Sequence, residues 1–346
     1  MSRYLTTELY MATNFDYKYG TAPGADPHFH LTCNDILPRY DVSISPSTGK
    51  FCPCQDEVKR LRYLLYTTPN ANDLFGVSSD MGASWTLKGD FLSWGKAAAI
   101  SSTGQYQIVC GYPGNIYISS DYGATWASKT PSLNYIGAEI SSTGQYMSVV
   151  PDNGYVYTSS DYGVNWINRG LPSIYYTGIA MSQTGAYQTA VSNGYIYVST
   201  NYGVSWTQKN ISASYAAVSM SYSGQYQTVS TGTTAVYTSS DYGATWVQRL
   251  SIGAVSIAQS ASGQYVYFVN NQNNSVYLST DFGAMWIAGD TFSQNTSICC
   301  SATGKRIFLT GYTILSGFGI YEYDNFGATW IGKISSGSKV VVVTNR

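Results

Sequence analysis

An eight-residue motif that returns every 40 to 44 residues constrains the fold of this chain more than any other feature. A well-formed copy is Ser119–Trp126 (SSDYGATW), and 40 residues separate its Asp121 from Asp161 in the next copy. A second motif, Ser102–Tyr106 (STGQY), returns in the same phase. Two motifs in fixed phase predict an internal repeat. We number the units 1 to 7 by their octets, whose third residues are Asp80, Asp121, Asp161, Asn201, Asp241, Asp281 and Asn325.

Each unit is predicted to form four short strands. In unit 3 turn residues separate the strand-like runs Ile136–Ile140, Tyr146–Val150 and Tyr155–Ser159, and a fourth run opens at Trp166. No stretch shows an apolar period of 3.6 residues over helical length. Repeated four-stranded units of this size are typical of a β-propeller. The predicted fold is therefore all-β, a seven-bladed β-propeller of four-stranded antiparallel blades with an irregular N-terminal arm.

The octet is interpreted as a structural hairpin rather than a catalytic site. Gly123 and its equivalents supply the positive φ of a tight turn, and Asp121 two residues earlier caps backbone N–H groups. The carboxylates lie on separate units and Asn replaces Asp twice, which argues against metal binding and acid catalysis. The Trp that closes each octet is expected to pack its ring against the sheet. These residues are Trp85, Trp126, Trp166, Trp206, Trp246, Trp286 and Trp330.

Residues 61–346 are predicted to form the propeller, and residues 1–60 an arm outside it that serves as a docking segment. The first strand of each unit carries small residues, as in Ala97–Ser101, which places it nearest the axis. Residues 340–344 are predicted to supply the inner strand of unit 1 and to close the ring. Asp41–Ser45 is the competing candidate for that strand. Residues 1–62 hold 14 charged residues, against 23 in the other 284, which distinguishes the arm from the ring.

The arm also contains both histidines and three of the six cysteines. These side chains could supply a tetrahedral Zn²⁺ site, but their spacing fits no standard zinc motif. A disulfide and free thiols are the alternatives, so no cofactor is expected and Zn²⁺ stays an open alternative. Cys110, Cys299 and Cys300 lie on predicted strands and are interpreted as core residues. The candidate metal ligands are His28, His30, Cys33, Cys52 and Cys54.

The octet pattern Ser-x-Asp-x-Gly-x-Thr-Trp resembles the Asp-box (BNR) repeat of sialidases, photosystem II assembly factors, sortilin-type receptors and some glycoside hydrolases. The resemblance runs from about residue 61 to the C-terminus. The fuller unit, which adds Ser-Gly-Gln-Tyr, is similar to repeat proteins of large DNA viruses and marine algae. The resemblance implies a propeller whose octet turns lie on the face away from the ligand site.

The connections expected on the other face vary from unit to unit. Variable loops on a rigid scaffold are where binding residues commonly occur. In this chain these loops are rich in Tyr and Asn and carry almost no charge. The candidate binding residues are Tyr112, Asn115, Asp152, Asn153, Tyr175, Tyr176, Asn193, Asn271 and Asn273.

A catalytic role is not expected. A sialidase-like site would need three arginines, but Arg169 and Arg249 occupy a repeated position where other units carry Lys. Residues 61–346 include no His, which excludes a Ser-His or Cys-His system in the ring. The acids outside the octets offer no evident pair for glycoside hydrolysis, which stays an alternative. The basic residues at the repeated rim position are Lys88, Lys129, Arg169, Lys209, Arg249 and Lys333.

Composition limits the partners. Charged residues make up only 11% of the chain and the net charge is −1, which argues against a broad surface for nucleic acid or anionic membrane. No run reaches the ~18 apolar residues of a membrane-spanning helix. The N-terminus lacks the apolar core of a secretory signal. A location in the cytoplasm or in a virus particle is therefore expected.

The leading functional hypothesis is a non-catalytic scaffold. The rigid propeller would be docked by its N-terminal arm into a larger assembly of proteins, such as the particle of a large DNA virus. One alternative is a lectin-like propeller that binds glycans through Tyr and Asn of the variable face. Another, implied by the resemblance, is a propeller of the photosystem-assembly-factor type.

Overall fold

The described part of the chain is built of β-strands. A computed structural model describes residues 31–33, 40–45, 50–53, 64–67, 75–78, 86–88, 95–111, 114–270, 272–273, 275–291, 294–300, 302–313, 317–324 and 329–335. Within these ranges there is no helix, and hence none with the length and apolar character needed to cross a membrane. The predicted all-β class is confirmed.

Strands also form in part of the segment predicted to be an irregular arm. The strands β1 (Leu31–Cys33), β2 (Tyr40–Ser45) and β3 (Lys50–Pro53) make an antiparallel sheet in that order. β2 alternates polar and apolar residues, which is the pattern of a half-buried strand. It contacts the first described strand of unit 1, and β3 contacts the first strand of unit 7. These residues are therefore paired strands that lie beside the repeat units rather than irregular chain.

Unit 1 is described as three strands, β4 (Leu64–Thr67), β5 (Phe75–Ser78) and β6 (Thr86–Lys88), paired in chain order. The closing strand predicted at residues 340–344 lies outside the described residues. Ring closure by that segment therefore stays a prediction. The competing candidate, residues 41–45, lies in β2, which pairs with β1 and β3 and not with β4 of unit 1.

Units 2 and 3 are four-stranded antiparallel sheets, as predicted, with strands paired in chain order. The strands of unit 2 are β7 (Gly95–Ile100), β8 (Gln107–Gly111), β9 (Gly114–Ser119) and β10 (Ala127–Leu133). Those of unit 3 are β11 (Tyr135–Ile140), β12 (Met147–Pro151), β13 (Tyr157–Ser159) and β14 (Ile167–Asn168).

Units 4 and 5 share one six-stranded sheet. Its strands are β15 (Tyr176–Met181), β16 (Gln188–Ser199), β17 (Thr207–Met220), β18 (Gln227–Thr231), β19 (Val236–Ser239) and β20 (Val247–Leu250). β16 supplies the second and third strands of unit 4, and β17 runs from the fourth strand of unit 4 into the first strand of unit 5. The two units are continuous because Asn193 pairs with Ser214 and Gly194 pairs with Ala213.

Units 6 and 7 return to the four-stranded pattern. The strands of unit 6 are β21 (Ser256–Gln259), β22 (Val266–Asn270), β23 (Ser275–Ser279) and β24 (Ile287–Thr291). Those of unit 7 are β25 (Gln294–Cys300), β26 (Arg306–Thr313), β27 (Gly317–Asp324) and β28 (Thr329–Ser335).

Neighbouring units are joined by backbone hydrogen bonds at the Ser-Thr-Gly-Gln turns. Ser102 N donates to Ser142 O at 3.0 Å, and Ser142 N donates to Gln183 O at 2.8 Å. The first strands of units 2 to 7 also contact one another in chain order. These units are therefore arranged side by side, each bound to the next at an equivalent point. The step continues through the pairs Gln183–Tyr222, Tyr222–Ala261 and Ala261–Ala302.

The apolar core lies between neighbouring sheets. Between units 2 and 3, Ala97 of the first strand packs with Ile108, Tyr135 and Met147, all of them buried. Small first-strand residues let adjacent sheets approach where the units are most crowded. The thiol of Cys110 belongs to the same cluster, and Cys300 is buried in the cluster between units 6 and 7.

A buried amide marks the start of the second strand in several units. Gln227 pairs across the sheet with Met220, and its Nε2 donates to Gly224 O at 2.9 Å. In unit 6 the amide and the apolar residue of this pair have changed strands. Gln259 lies on the first strand and Val266 on the second. Gln259 Nε2 still reaches Gly263 O, at 3.3 Å. The equivalent carbonyl is therefore satisfied from the other strand, and the oxygens Gln259 Oε1 and Thr228 Oγ1 stay buried without a partner.

Replacing Gln259 and Val266 by the Met and Gln that occupy these positions in unit 5 tests this compensation. Gln259→Met should leave the Gly263 carbonyl without its donor, and Val266→Gln should crowd the core, each costing about 1–3 kcal/mol. The double variant restores the order found in unit 5 and is expected to be more stable than either single variant, with a coupling of about 1–3 kcal/mol. A double-mutant cycle from urea unfolding measures that coupling, and additive effects would contradict the interpretation.

Candidate interaction surfaces

The octets of units 2 to 6 are held by internal hydrogen bonds, as unit 2 shows. Ser119 Oγ donates to Asp121 Oδ1 at 2.8 Å and accepts from Gly123 N at 2.8 Å. Thr125 donates twice to the same carboxylate, from its N to Oδ1 at 2.9 Å and from its Oγ1 to Oδ2 at 2.5 Å. Trp126 Nε1 donates to Gly123 O at 3.1 Å. Both carboxylate oxygens are therefore engaged within the turn.

The Asn in the octet of unit 4 makes equivalent hydrogen bonds, but its amide nitrogen donates where a carboxylate oxygen accepts in unit 2. Asn201 Oδ1 accepts from Ser205 N at 2.9 Å, and its Nδ2 donates to Ser205 Oγ at 2.8 Å. In this place an amide can therefore replace a carboxylate. The octet residues Asp80, Trp85 and Asn325 lie outside the described residues, and Trp330 lies on β28.

The pKa of the octet carboxyls is shifted by these contacts. Partial burial raises the pKa of Asp121, but hydrogen bonds from Thr125 and Ser119 outweigh it, so the pKa lies below its usual value. Asp161, Asp241 and Asp281 are shifted in the same direction. A pKa that is lower in the folded than in the unfolded chain stabilises the fold above the unfolded value. This stabilisation is lost as the pH falls through the folded value.

The Asn201 turn provides an internal control for this pH dependence. Protection of the Thr125 amide against hydrogen exchange, corrected for the intrinsic rate, should fall as the pH is lowered below the usual Asp range and Asp121 takes up a proton. The Ser205 amide, which donates to a neutral side chain, should keep its protection over the same range. Equal loss at both amides would show that global unfolding, not the carboxyl group, is responsible.

Sequence reasoning missed the role of the aromatic residue in the octet. Tyr122 has φ 63° and the following Gly123 has φ 81°, so both central residues of the hairpin turn have the positive φ of a type I′ turn. A non-glycine residue in this region is disfavoured by about 1–2 kcal/mol. The equivalent residues are Tyr162, Tyr202, Tyr242 and Phe282.

Stacking between units accounts for these strained aromatic residues. Tyr106 of the STGQY motif in unit 2 stacks on Tyr162 in the octet of unit 3, with ring centroids 4.7 Å apart. A signal was available, since an aromatic residue recurs there in phase with the Tyr of STGQY. The corresponding pairs are Tyr146–Tyr202 at 4.3 Å, Tyr187–Tyr242 at 4.4 Å and Tyr226–Phe282 at 4.2 Å.

The octet turns and the Ser-Thr-Gly-Gln turns form one surface, which we call the octet face. Tyr122 N donates to Gln105 O at 3.1 Å, which joins the two turns within unit 2. The octet aromatics of units 2 to 6 are between 36% and 41% exposed. Further exposed apolar side chains lie in the same turns, namely Val164, Val204 and Met285.

The basic rim residues follow the outermost strands. Arg169 Nε donates to Thr158 Oγ1 at 2.5 Å, and Arg249 Nε donates to Thr238 Oγ1 at 2.9 Å. Desolvation lowers the pKa of Arg169. Cations along an edge strand disfavour its pairing with another edge. The six positions are Lys88 on β6, Lys129 on β10, Arg169 after β14, Lys209 on β17, Arg249 on β20 and Lys333 on β28.

The turns between second and third strands, with the segments leading into the next unit, form the opposite face. Tyr175, Asn153 and Asn193 are exposed there. Two other candidates are engaged locally, since Asn115 Nδ2 donates to Ser128 Oγ at 2.7 Å and Asn273 Nδ2 donates to the Tyr277 hydroxyl at 2.9 Å. Asp152 is half-buried, and Tyr112 and Asn271 lie outside the described residues.

Among the candidate binding residues that the structure describes, Tyr176 is the one that lies in the core. It is only 2% exposed, and its hydroxyl donates to Pro172 O at 2.9 Å. The reason is strand alternation, which turns Tyr175 outward and Tyr176 inward. Tyr135 and Tyr215 are buried equivalents whose hydroxyls also donate to the carbonyl four residues earlier. The assignment of Tyr176 to a binding surface was wrong.

The weak metal candidates are only partly described. Cys33 lies on β1 and Cys52 on β3, on either side of β2, while His28, His30 and Cys54 lie outside the described residues. Across the described ranges no group of three metal-binding side chains is present. The Zn²⁺ alternative therefore stays a prediction.

Comparison with known proteins decides the architecture. Neither family models nor curated proteins match the sequence. YCF48 from Cyanidioschyzon merolae matches with a TM-score of 0.56 at 12% identity, covering 86% of this chain and 98% of that one. YCF48 bound to a D1 peptide matches with a TM-score of 0.56 at 14% identity, covering 89% of this chain and 97% of that one. Kuenenia stuttgartiensis hydrazine synthase matches with a TM-score of 0.54 at 14% identity, covering 87% of this chain and 99% of that one.

These three matches are β-propellers. The fold is a β-propeller. The predicted architecture is confirmed at that level, and the number of seven blades stays a prediction. At such low identities the likeness shows the fold alone, so each unit can now be called a blade, but no activity follows from the comparison.

Proposed function

We propose that this chain is a non-catalytic interaction protein, a rigid propeller scaffold that holds a protein partner against its octet face. The observation that carries the proposal is the row of exposed aromatic side chains on that face. Those of blades 3 to 6 are each fixed by the turn and by a stacked Tyr from the preceding blade, so little side-chain freedom remains to be lost on binding. Preorganised aromatic side chains are typical anchors of protein interfaces.

Other features of the octet face support a protein partner. Val164, Val204 and Met285 are 59%, 55% and 74% exposed, which extends the apolar surface beyond the aromatic rings. Exposed apolar surface of this kind is typical of interaction sites. A solved propeller, YCF48 bound to a D1 peptide, gives a precedent for peptide binding by this fold.

The titratable groups support the absence of catalysis. A general acid or base works best with a pKa near the operating pH. The octet carboxyls have a pKa that is lowered by the turn, and burial raises the pKa of Cys110 and Cys300. Each shift moves the group away from neutral pH, opposite to the direction that acid–base or thiolate chemistry requires.

Substitution of two octet aromatics tests the proposed partner surface. Asn tolerates positive φ, so Tyr162→Asn and Tyr202→Asn should keep the turn while removing the rings. Cross-linking of the full chain in its native assembly, followed by mass spectrometry, should place the partner at the octet face, and the double variant should lose it. Tyr195→Asn on the opposite face is the control. Cross-links confined to other surfaces, or a partner retained by the double variant, would overturn the proposal.

We further propose that the partner belongs to a larger assembly, such as a virus particle, docked through the first 60 residues. The near-identical blades and the concentration of charge in that segment support this finer proposal. β2 and β3 contact blades 1 and 7, so removal of the whole segment would also disturb the ring. Deletion of residues 1–30 avoids this, and the truncated chain should fold but fail to enter the assembly. Normal incorporation would contradict the docking role.

A further inference from the structure

The tripeptide Asn-Gly-Tyr occurs twice in the sequence, at Asn153–Tyr155 in blade 3 and at Asn193–Tyr195 in blade 4. Both copies lie between second and third strands on the opposite face. Gly154 and Gly194 have nearly the same φ, 141° and 142°. Each pairs with the segment that leads into the next blade, as Gly154 with Ile174 and Gly194 with Ala213. The chain thus builds the same turn twice, one blade apart.

The side chains of these turns point away from the protein. Tyr155 and Tyr195 are 41% and 39% exposed, and Tyr175 is 60% exposed. Tyr175 connects the two turns through the backbone, because its carbonyl accepts from Asn193 N at 2.9 Å and it follows Ile174. Among the described residues, no group hydrogen-bonds the side chain of Asn153, Asn193 or Tyr175. Both amides and the intervening phenol are therefore available to a ligand.

The chemistry of this patch is neutral and amphipathic. A Tyr ring offers a flat apolar face and a hydroxyl, and an Asn amide offers a donor beside an acceptor. Neither turn carries a cation, and the carboxyl of Asp152 directly precedes Asn153. An anionic ligand would find no positive partner in either turn. The patch fits an uncharged ligand with apolar faces and many hydroxyls.

We propose that the paired Asn-Gly-Tyr turns of blades 3 and 4 form a binding site for a neutral oligosaccharide. Sugar rings stack on Tyr155, Tyr175 and Tyr195, and their hydroxyls exchange hydrogen bonds with the amides of Asn153 and Asn193. Because the same turn is repeated one blade apart, the site fits a ligand that itself consists of repeated units.

A proline-rich peptide is the competing occupant, because such peptides also pack against exposed aromatic rings. Its backbone offers carbonyl acceptors but few donors, since proline has no N–H. The Asn amide presents a donor and an acceptor side by side, which matches the adjacent hydroxyls of a sugar, each able to donate and accept. The pair of amides therefore favours the sugar.

Calorimetric titration of the full chain tests the site directly. The probes are neutral hexasaccharides of glucose, N-acetylglucosamine and mannose, their disaccharides, a sialylated and a sulfated oligosaccharide, and a proline-rich peptide. One neutral hexasaccharide is expected to bind, and its disaccharide about tenfold more weakly because it reaches only one turn. The charged sugars should not bind. No binding of any neutral hexasaccharide at millimolar concentration would overturn the proposal, as would preferential binding of the peptide.

Matched variants link binding to the patch. Tyr175→Ser should weaken binding about tenfold or more through loss of the stacking face, and Tyr175→Phe, which keeps the ring, should bind within about twofold of the original chain. Ile167→Ser removes a comparably exposed apolar side chain from the outer strand and is the control. Binding unchanged by Tyr175→Ser would refute the site. The octet-face proposal would survive that outcome, since it concerns a different surface.

Discussion

Replacing Gly144 by alanine is expected to destabilise the propeller by about 3–4 kcal/mol. Gly144 has φ +84°, where a residue with a Cβ is disfavoured. A methyl group there would also overlap the ring of Tyr106 from the preceding blade, whose Cγ would lie only 2.6 Å away. The ring cannot simply move aside, because its other neighbour is the stacked Tyr162. Urea unfolding of the two proteins measures the difference.

Gly170→Ala is the matched control for that substitution. Gly170 has φ +72°, but a Cβ there would meet no atom within 4 Å. Both variants restrict the unfolded chain equally, so they differ in the contact with Tyr106 alone. Gly170→Ala should cost only about 1–2 kcal/mol. Equal losses in the two variants would show that the Tyr–Gly contact between blades contributes little.

The second large effect is expected at Tyr176, where substitution by alanine should cost about 3–5 kcal/mol. The ring is buried in the cluster between blades 3 and 4, and removing it leaves a cavity as well as an unpaired Pro172 carbonyl. Tyr176→Phe keeps the ring and should cost only about 1 kcal/mol for the lost hydrogen bond.

Tyr175→Ala, one residue earlier, provides the control. Its side chain is 60% exposed, so the free energy of unfolding should change by no more than about 0.5 kcal/mol. Chemical denaturation of the three variants measures this contrast. A larger loss for Tyr175→Ala than for Tyr176→Ala would contradict the assignment of Tyr176 to the core and of Tyr175 to the surface.

The architecture could be predicted from the sequence because its determinants are local. The hairpin glycines, the Asp cap and the alternation of the strands each act within a few residues, and the repeat multiplies a weak local signal over many copies. The carboxylate of Asp121 shows this, since its hydrogen bonds come from Ser119 and Thr125 of the same octet. The order of the four strands followed from the same spacing.

Features that depend on a neighbouring blade could not be predicted in this way. The positive φ of Tyr162 looks unfavourable until its stacking on Tyr106 of the preceding blade is seen. The assignment of Tyr175 and Tyr176 to one surface failed because two adjacent tyrosines are equivalent in composition, and only the register decides which one is buried. The continuous sheet of blades 4 and 5 could not be predicted either. Asn193 has the sequence pattern of a turn residue, but it lies within β16 and pairs with Ser214.

The contact between the Tyr of one blade and the Gly turn of the next has a fixed direction along the chain, because the earlier blade always supplies the Tyr. In each blade from 2 to 6 this Tyr packs on the Gly turn of the next blade. The last of these contacts is that of Tyr265 on Gly304. Blade 7 has Arg306 where its predecessors have that Tyr, so the interlock cannot be passed on from blade 7 in the same form. The boundary after blade 7 therefore lacks the Tyr that joins each of blades 2 to 6 to the next, and we expect heat or force to separate the blades there first.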